Sequence, residues 1–172
     1  LEYTLSLTEQ FYVATNVSSR MRRFHQRLGL SFVEMDKFFA FNPSASARYI
    51  INQNTDNCFF YHANPIKSHR LSTIDDLASA LNSINVLSKN VKQASSLHRK
   101  YLLNPFHHYD VMFTEHPSPS LVVIRKQYRN SSFVVKVVEY ICQEVNIDAL
   151  FEIISSNYFI DHLCEGAYFY CF

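Results

Sequence analysis

The stretch Ser120–Cys142, SLVVIRKQYRNSSFVVKVVEYIC, narrows the folds open to this chain more than any other. Leu121–Ile124 and Phe133–Ile141 are apolar and rich in β-branched residues, and the polar segment Arg125–Ser132 lies between them. Two such runs joined by a polar turn predict a hairpin, with 107–114, 120–127 and 132–142 as three consecutive antiparallel strands. The second run is apolar on both faces of a strand: Val135, Val137 and Ile141 on one, Val134, Val138 and Tyr140 on the other. A strand of that kind belongs inside a sheet that is covered on both sides. A helix over 133–142 is the competing reading. Valines at 134, 135, 137 and 138 weigh against it, because β-branched side chains lose χ1 freedom on a helix. The expected fold class is α/β (α+β), with a mixed, largely antiparallel central sheet flanked by helices.

Composition sets the outer bounds. A chain of 172 residues, 48% hydrophobic, can bury a core as one domain or two small ones. A formal net charge of +1 gives no strongly basic surface, so no nucleic acid is expected as a partner. No apolar run approaches the roughly 18 to 20 residues of a membrane span. The opening LEYTLSLTEQ lacks the basic start and apolar centre of a signal peptide. Cys58, Cys142, Cys164 and Cys171 show no CxxC spacing, which favours a reduced, cytoplasmic chain over one with two disulfides. The chain opens on Leu1 rather than Met, as a fragment or processed product would. Gly29 and Gly166 are the only glycines, and neither GxGxxG nor GxxxxGK[ST] occurs, so the usual phosphate-cradling loops are absent.

Along the chain, a strand is expected within 10–15. A helix follows, opened by Ser18 or Ser19, with Met21, Phe24 and Leu28 on one face and Arg20, Arg22, Arg23 and Arg27 largely on the other; Gly29 ends it. LSFVEMDKFFAFNP reads as strand, turn, strand, stopped by Pro43. RYIIN and CFFY are further short apolar runs, and HANPIKSH reads as a linker. Ser72 or Thr73 caps a helix whose apolar stripe is Ile74, Leu77, Leu81 and Ile84, and a second helix spans 88–103 with Val91, Leu97 and Leu102. HHYDVMFT, 107–114, reads as a strand ahead of the hairpin. Asn146 caps a last helix with Ile147, Leu150, Phe151 and Ile154 on its apolar face. AYFYCF reads as an aromatic strand that is an exposed edge unless another segment covers it.

Several side chains are chemically suggestive. Glu139 is a carboxylate in the middle of an apolar strand, the position of a buried general base; a salt bridge to Lys136 or a place at the sheet edge is the plainer reading. His25 can serve as an acid near neutrality, or can be an ordinary helix histidine beside Phe24. His107 and His108 are neighbours on an expected strand and point to opposite faces, so they do not share a metal, while His108 and Asp110 share a face. No metal site is expected, including at His62 and His69.

Two segments resemble one family. NVSSRMRRFHQRLGL, Asn16–Leu30, set between a strand and the FVEMDKFFAFNP hairpin, is similar to the C-terminal helix of GCN5-related N-acetyltransferases and the Leu-Gly step after it, here Leu28-Gly29-Leu30. Lys100–Ile141, with KYLLNPFHHYDVMF, LVVIRK and VVKVVEYI, looks like the front half of another such domain, with NIDALFEIISS as its next helix and GAYFYCF as its next strand. The order resembles that of tandem acetyltransferase-like proteins of bacterial surface-polysaccharide pathways. The resemblance implies an acetyltransferase-like sheet. It implies the C-terminal part of one domain over 1–66 and a second, incomplete one over 67–172. It also implies direct acyl transfer to an amine such as an amino sugar, with His25 where the family often has a Tyr acid. Arg20 and Arg23 belong to a set that suits a phosphorylated ligand such as the CoA 3′-phosphate.

The chain departs from the family at the cofactor loop. The first copy's loop falls before Leu1. In the second copy it falls at Cys142–Asn146, which has no glycine and carries Glu144. Acetyl-CoA binding is therefore expected to be weak or absent. Two further classes remain open: a LysR-type effector-binding domain, suggested by FYHANPIKSHRLSTIDDLAS with the hairpin, and a non-catalytic interaction module. A small-molecule ligand and a homo-oligomer are the expected partners.

Overall fold

The computed structural model describes residues 23, 24, 26, 27, 36–46, 58–60, 66–84, 94–144 and 146–171. The chain forms two compact units, Leu1–Met35 with Phe172, and Asp36–Cys171. In the first, Arg23, Phe24, Gln26 and Arg27 are helical and exposed. The strand expected within 10–15 and the RYIIN run lie outside the described residues.

The second unit is built on a seven-stranded sheet. Its strands are β1 (Asp36–Phe41), β2 (Cys58–Phe60), β3 (His69–Arg70), β4 (Asp110–Thr114), β5 (Ser120–Arg129), β6 (Ser132–Cys142) and β7 (Cys164–Cys171). They lie in the order β2-β1-β7-β6-β5-β4-β3. Neighbours from β3 to β6 are antiparallel, β6 and β7 are parallel, β7 and β1 antiparallel, and β1 and β2 parallel. Between β3 and β4 come α1 (Ile74–Ile84) and α2 (Ala94–Leu97), which widens into a π turn over His98–Leu102. A third helix, α3 (Ile147–Tyr158), links β6 to β7. This is the mixed, largely antiparallel α/β architecture that the sequence pattern predicts.

The alternation of β5 builds two cores at once. Val122 and Ile124 face α3, where Leu150, Phe151, Ile153 and Ile154 close over them. Leu121 and Val123 face α1 and α2, against Leu77, Ile84 and Leu97. All four strand residues are fully buried, and each contributes about 1.5 to 3 kcal/mol of apolar burial. As expected of a strand apolar on both faces, β6 is interior, with β5 on one side and β7 on the other. Cys164 is buried at the start of β7; burial pushes its thiol up to about 12, so it is an inert core residue.

Local capping sets the helix starts. Thr73 Oγ1 accepts the Asp76 N–H at 3.1 Å, and the Asp76 carboxylate accepts the Thr73 N–H at 3.1 Å. The Thr73 side chain first, then the Ser72 and Thr73 N–H groups, hold the Asp76 carboxyl below its ordinary 3.8. Asn146 Oδ1 accepts the Ala149 N–H at 2.9 Å and starts α3 where the sequence places it.

Five expectations change. The turn of the hairpin is only Asn130-Ser131, because Arg129 still pairs with Ser132, and Asn130 takes a left-handed φ of 53° that asparagine tolerates. The polar residues 125–129 are therefore strand, at its more exposed end. HHYDVMFT enters the sheet only at Asp110; His107 and His108 precede β4 and are exposed. His69, the last residue of the expected linker, forms β3 with Arg70, paired with β4. Ile74 leaves the buried stripe of α1, at 42% exposure, and Ala80 joins it. Finally, AYFYCF is not an edge: β7 runs between β6 and β1, with Phe169 stacked on Phe38 at 5.1 Å. Residue 66, the junction drawn from the sequence, falls within the Asp36–Cys171 unit, with β1 and β2 before it and β3–β7 after it in one sheet.

One buried amide ties β1 to the turn before β7. Asn42 is fully buried; its Nδ2 donates to Cys164 O at 2.8 Å and to Asp161 O at 3.1 Å, and its Oδ1 accepts the Ser44 N–H at 3.0 Å. Asn42→Ala removes all three bonds from a dry site and is expected to lower stability by about 2 to 3 kcal/mol. Thr73→Ala, at an exposed cap, is expected to cost about 1 kcal/mol. Urea unfolding of the two variants checks the order, and a larger loss at Thr73 would refute it.

Candidate active site

The chemistry of β6 is set by an irregularity in its ladder. Val123 of β5 lies opposite Glu139, yet the next residue, Ile124, lies opposite Val137. Val138 is thus an extra residue, a β-bulge. It reverses the facing of the residues after it. Val135 and Val137 belong to the α3 core, and Tyr140 packs there too, while Val138 and Ile141 pack against the α1–α2 core. Regular alternation groups Ile141 with Val135 and Val137, and Tyr140 with Val138; the bulge exchanges the two.

Glu139 is thereby turned toward α2, its side chain 13% exposed. The Tyr101 hydroxyl donates to Glu139 Oε2, and Lys100 Nζ lies 3.6 Å from the same oxygen. Both partners come from the π turn, a wide turn of the kind that recurs at functional sites. Tyr101 is buried, edge-on to Tyr109 at 5.0 Å, and Lys100 Nζ lies 4.7 Å from the Tyr101 ring centre. Burial first, and then the Glu139 carboxylate, drives the Tyr101 phenol well above its ordinary 10.0, so it remains a donor at any physiological pH. Lys100 is one cation that meets Glu139. Lys136 lies opposite Arg125 in the ladder, with its Nζ 6.0 Å from the Tyr168 ring centre.

Beside Glu139 the sheet divides. The parallel pairing of β6 and β7 runs from Phe133↔Cys164 to Lys136↔Tyr168 and ends there. Beyond it, Val137–Cys142 stays with β5, and Phe169–Cys171 stays with β1. The bulge and Glu139 therefore lie where β6 has left β7.

A cavity of about 500 Å³ lies at the start of α3, lined by Pro117, Ser118, Gln143, Glu144, Asn146 and Asp148 among others. Two carboxylates border it. Asn146 occupies the Ala149 N–H, and the Tyr140 hydroxyl donates to Asn146 O at 3.1 Å.

Of the other residues singled out from sequence, His25, Arg20 and His62 lie outside the described residues. Arg23 is exposed on the helix of the Leu1–Met35 unit. Asp110 is engaged by Arg70 at 3.1 Å and by the Tyr158 hydroxyl at 2.6 Å. Among the described residues no group of three or more His, Cys, Asp or Glu side chains is placed to hold a metal. Sequence reasoning found Glu139 but not Tyr101 and Lys100, which contact it from 38 and 39 positions away; a Lys-Tyr pair at a helix end is too common to serve as a signal.

Glu139→Gln keeps an acceptor for Tyr101 and loses the ion pair with a half-exposed lysine, so its cost is expected to stay within about 1 kcal/mol. Tyr101→Phe strips a donor from a largely buried carboxylate and is expected to cost about 1 to 3 kcal/mol. Denaturant melts of both variants check the order, and equal losses would refute it. Comparisons with protein-family models, curated proteins and solved structures returned no match.

Proposed function

We propose that this chain is an acyltransferase-like protein in which Glu139 is the base of a direct transfer to an amine. The observation that carries the reading is the division of β6 from β7 after Lys136 and Tyr168, with the bulge and Glu139 immediately beyond it. Where the parallel strands part, both leave the β6–β7 ladder, and the bulge turns a carboxylate held by Tyr101 and Lys100 to one face of the sheet beside that point. In the proposed step Glu139 takes a proton from the acceptor amine. The nitrogen then attacks the acyl carbonyl, the new C–N bond forms, and the bond to the leaving group breaks, with no covalent intermediate on the protein. An amino sugar of a surface polysaccharide as acceptor rests on the family resemblance alone, as does a role for His25, Arg20 or Arg23.

Acetyl-CoA does not fit the seat at α3. A pyrophosphate there would need free N–H groups and a glycine turn. The turn offers Gln143 and Glu144 instead, Asn146 already occupies the Ala149 N–H, and Asp148 lies in the first helical turn. Each carboxylate near that helix start opposes a bound anion by up to about 1 kcal/mol. Acetyl-CoA binding is proposed to be weak or absent, and a degenerate, non-catalytic version of the scaffold is the alternative outcome of an activity assay.

Titration calorimetry of the full chain with acetyl-CoA at physiological salt is expected to show no binding at micromolar concentrations; micromolar affinity would overturn the account of α3. Mass spectrometry of amino sugars incubated with millimolar acetyl-CoA tests the reaction. An N-acetyl product that falls by about 100-fold or more in Glu139→Gln supports Glu139 as the base. A product unaffected by that substitution overturns it, and no product at all leaves the non-catalytic scaffold.

A further inference from the structure

The opposite end of β5 carries a second candidate site. Pairing with β4 begins at Asp110↔Ile124, so the backbone of Arg125–Arg129 has no β4 partner on that side. Along this open edge lies a groove of about 530 Å³, bordered by Arg70, Phe106, Asp110, Arg125, Lys126 and Tyr128, with His107 and His108 completing one wall.

Its charge is unbalanced. Among the described residues Asp110 is the groove's one carboxylate, and it is already engaged by Arg70 and the Tyr158 hydroxyl. Arg125 lies directly opposite Lys136 in the β5–β6 ladder, a like-charge pairing that destabilises a sheet. Burial, and then the Arg125 charge, holds the Lys136 ammonium below its ordinary 10.5. Among the described residues no carboxylate lies within ion-pair distance of Arg125 or Lys126. Lys126 Nζ instead sits 4.9 Å from the Phe133 ring centre and 5.3 Å from that of Tyr158.

Cations on an open strand edge also guard against pairing with another chain. That role does not account for the aromatics. Phe106 is 85% exposed and Tyr128 70% exposed, both on the groove. Tyr128 leans on Phe133 at 5.5 Å, and exposed rings at an edge that β4 leaves free favour association rather than prevent it. Cations and exposed rings lining one groove match a ligand that is anionic at one end and planar at the other.

We propose that this groove binds a phosphate-bearing ligand with a planar ring, of the nucleoside-polyphosphate class. Arg125 and Lys126 reach the phosphates from opposite faces of β5, across its edge, and Phe106 and Tyr128 offer their rings to the planar end. The site is independent of the Glu139 reading, since Arg125–Tyr128 pairs with the Phe133–Lys136 end of β6, whereas Leu121–Val123 pairs with the Glu139–Ile141 end.

The test is calorimetry on the full chain with three probes: ATP, inorganic pyrophosphate and adenosine. ATP is expected to bind most tightly, pyrophosphate about tenfold more weakly, and adenosine more weakly still. ATP affinity should fall as salt rises. Arg125→Ala with Lys126→Ala should weaken ATP by about tenfold or more while the protein still unfolds in a single urea transition. Phe106→Ala, at a side chain too exposed to support the fold, should weaken ATP and leave pyrophosphate unchanged. UTP should match ATP within a few-fold, because stacking tolerates any base. No ATP binding at millimolar concentration, or binding that survives the double substitution, overturns the site. Equal affinity for ATP and pyrophosphate, or ATP binding indifferent to Phe106→Ala, overturns the ring-binding half and leaves a simple anion groove.

Discussion

The facing of Glu139 decides whether β6 can lie inside this sheet at all. In a regular strand Glu139 would follow Val135 and Val137 into the core under α3, among Leu150, Phe151 and Ile154. A carboxylate there would be desolvated with no described cation beside it, at a cost of several kcal/mol. The extra residue at Val138 moves it to the other layer, where Tyr101 and Lys100 meet it. The same shift carries Tyr140 to the α3 side, so that its hydroxyl reaches Asn146 O at the start of that helix. A single inserted position thus reconciles an apolar interior strand with an ionisable side chain and anchors the following loop.

What was legible in the sequence was what short segments encode by themselves. The β-branched runs of β5 and β6, the Thr73–Asp76 capping box and the Asn146 cap each draw on neighbours within a few positions. Their elements lie where the pattern puts them. The bulge left no trace, because no glycine or other special residue marks Val138. Polarity hid only the end of β5, which runs past the expected 127 to Arg129, since a polar run at the end of a strand can remain in the ladder when only its side chains reach water. The neighbours of β7 were illegible because they depend on which strand is adjacent in space. Glu139 stood out as a carboxylate among valines; its partners did not, since 38 positions of chain and a π turn bring Tyr101 to it.

A net charge of +1 conceals a marked separation of charge along the sheet. Glu139, Glu144 and Asp148 gather where β6 ends and α3 begins, and Arg125, Lys126 and Lys136 gather where β5 meets the start of β6. Composition alone excludes a uniformly basic surface, not a basic end. Field strength in a groove depends on local charge and on how much water is displaced, so the two ends can select ligands of opposite character from one nearly neutral protein.

The position of β7 also governs the order in which this unit can be assembled. The strand lies near the middle of the sheet but is the last of the seven along the chain, and the Asn42–Cys164 bond closes a span of 122 positions. Until β7 arrives, β1 and β6 each keep an unsatisfied edge, and one side of β6 is bare backbone beside buried valines. During synthesis, β3 to β6 can form by local antiparallel pairing while β1 and β2 wait. Completion then requires a central strand to slot between two preformed pieces, with most of the loop-closure entropy lost in that one step. An unfinished or truncated chain would therefore present two long, apolar strand edges, the kind that chaperones hold and that aggregates grow from.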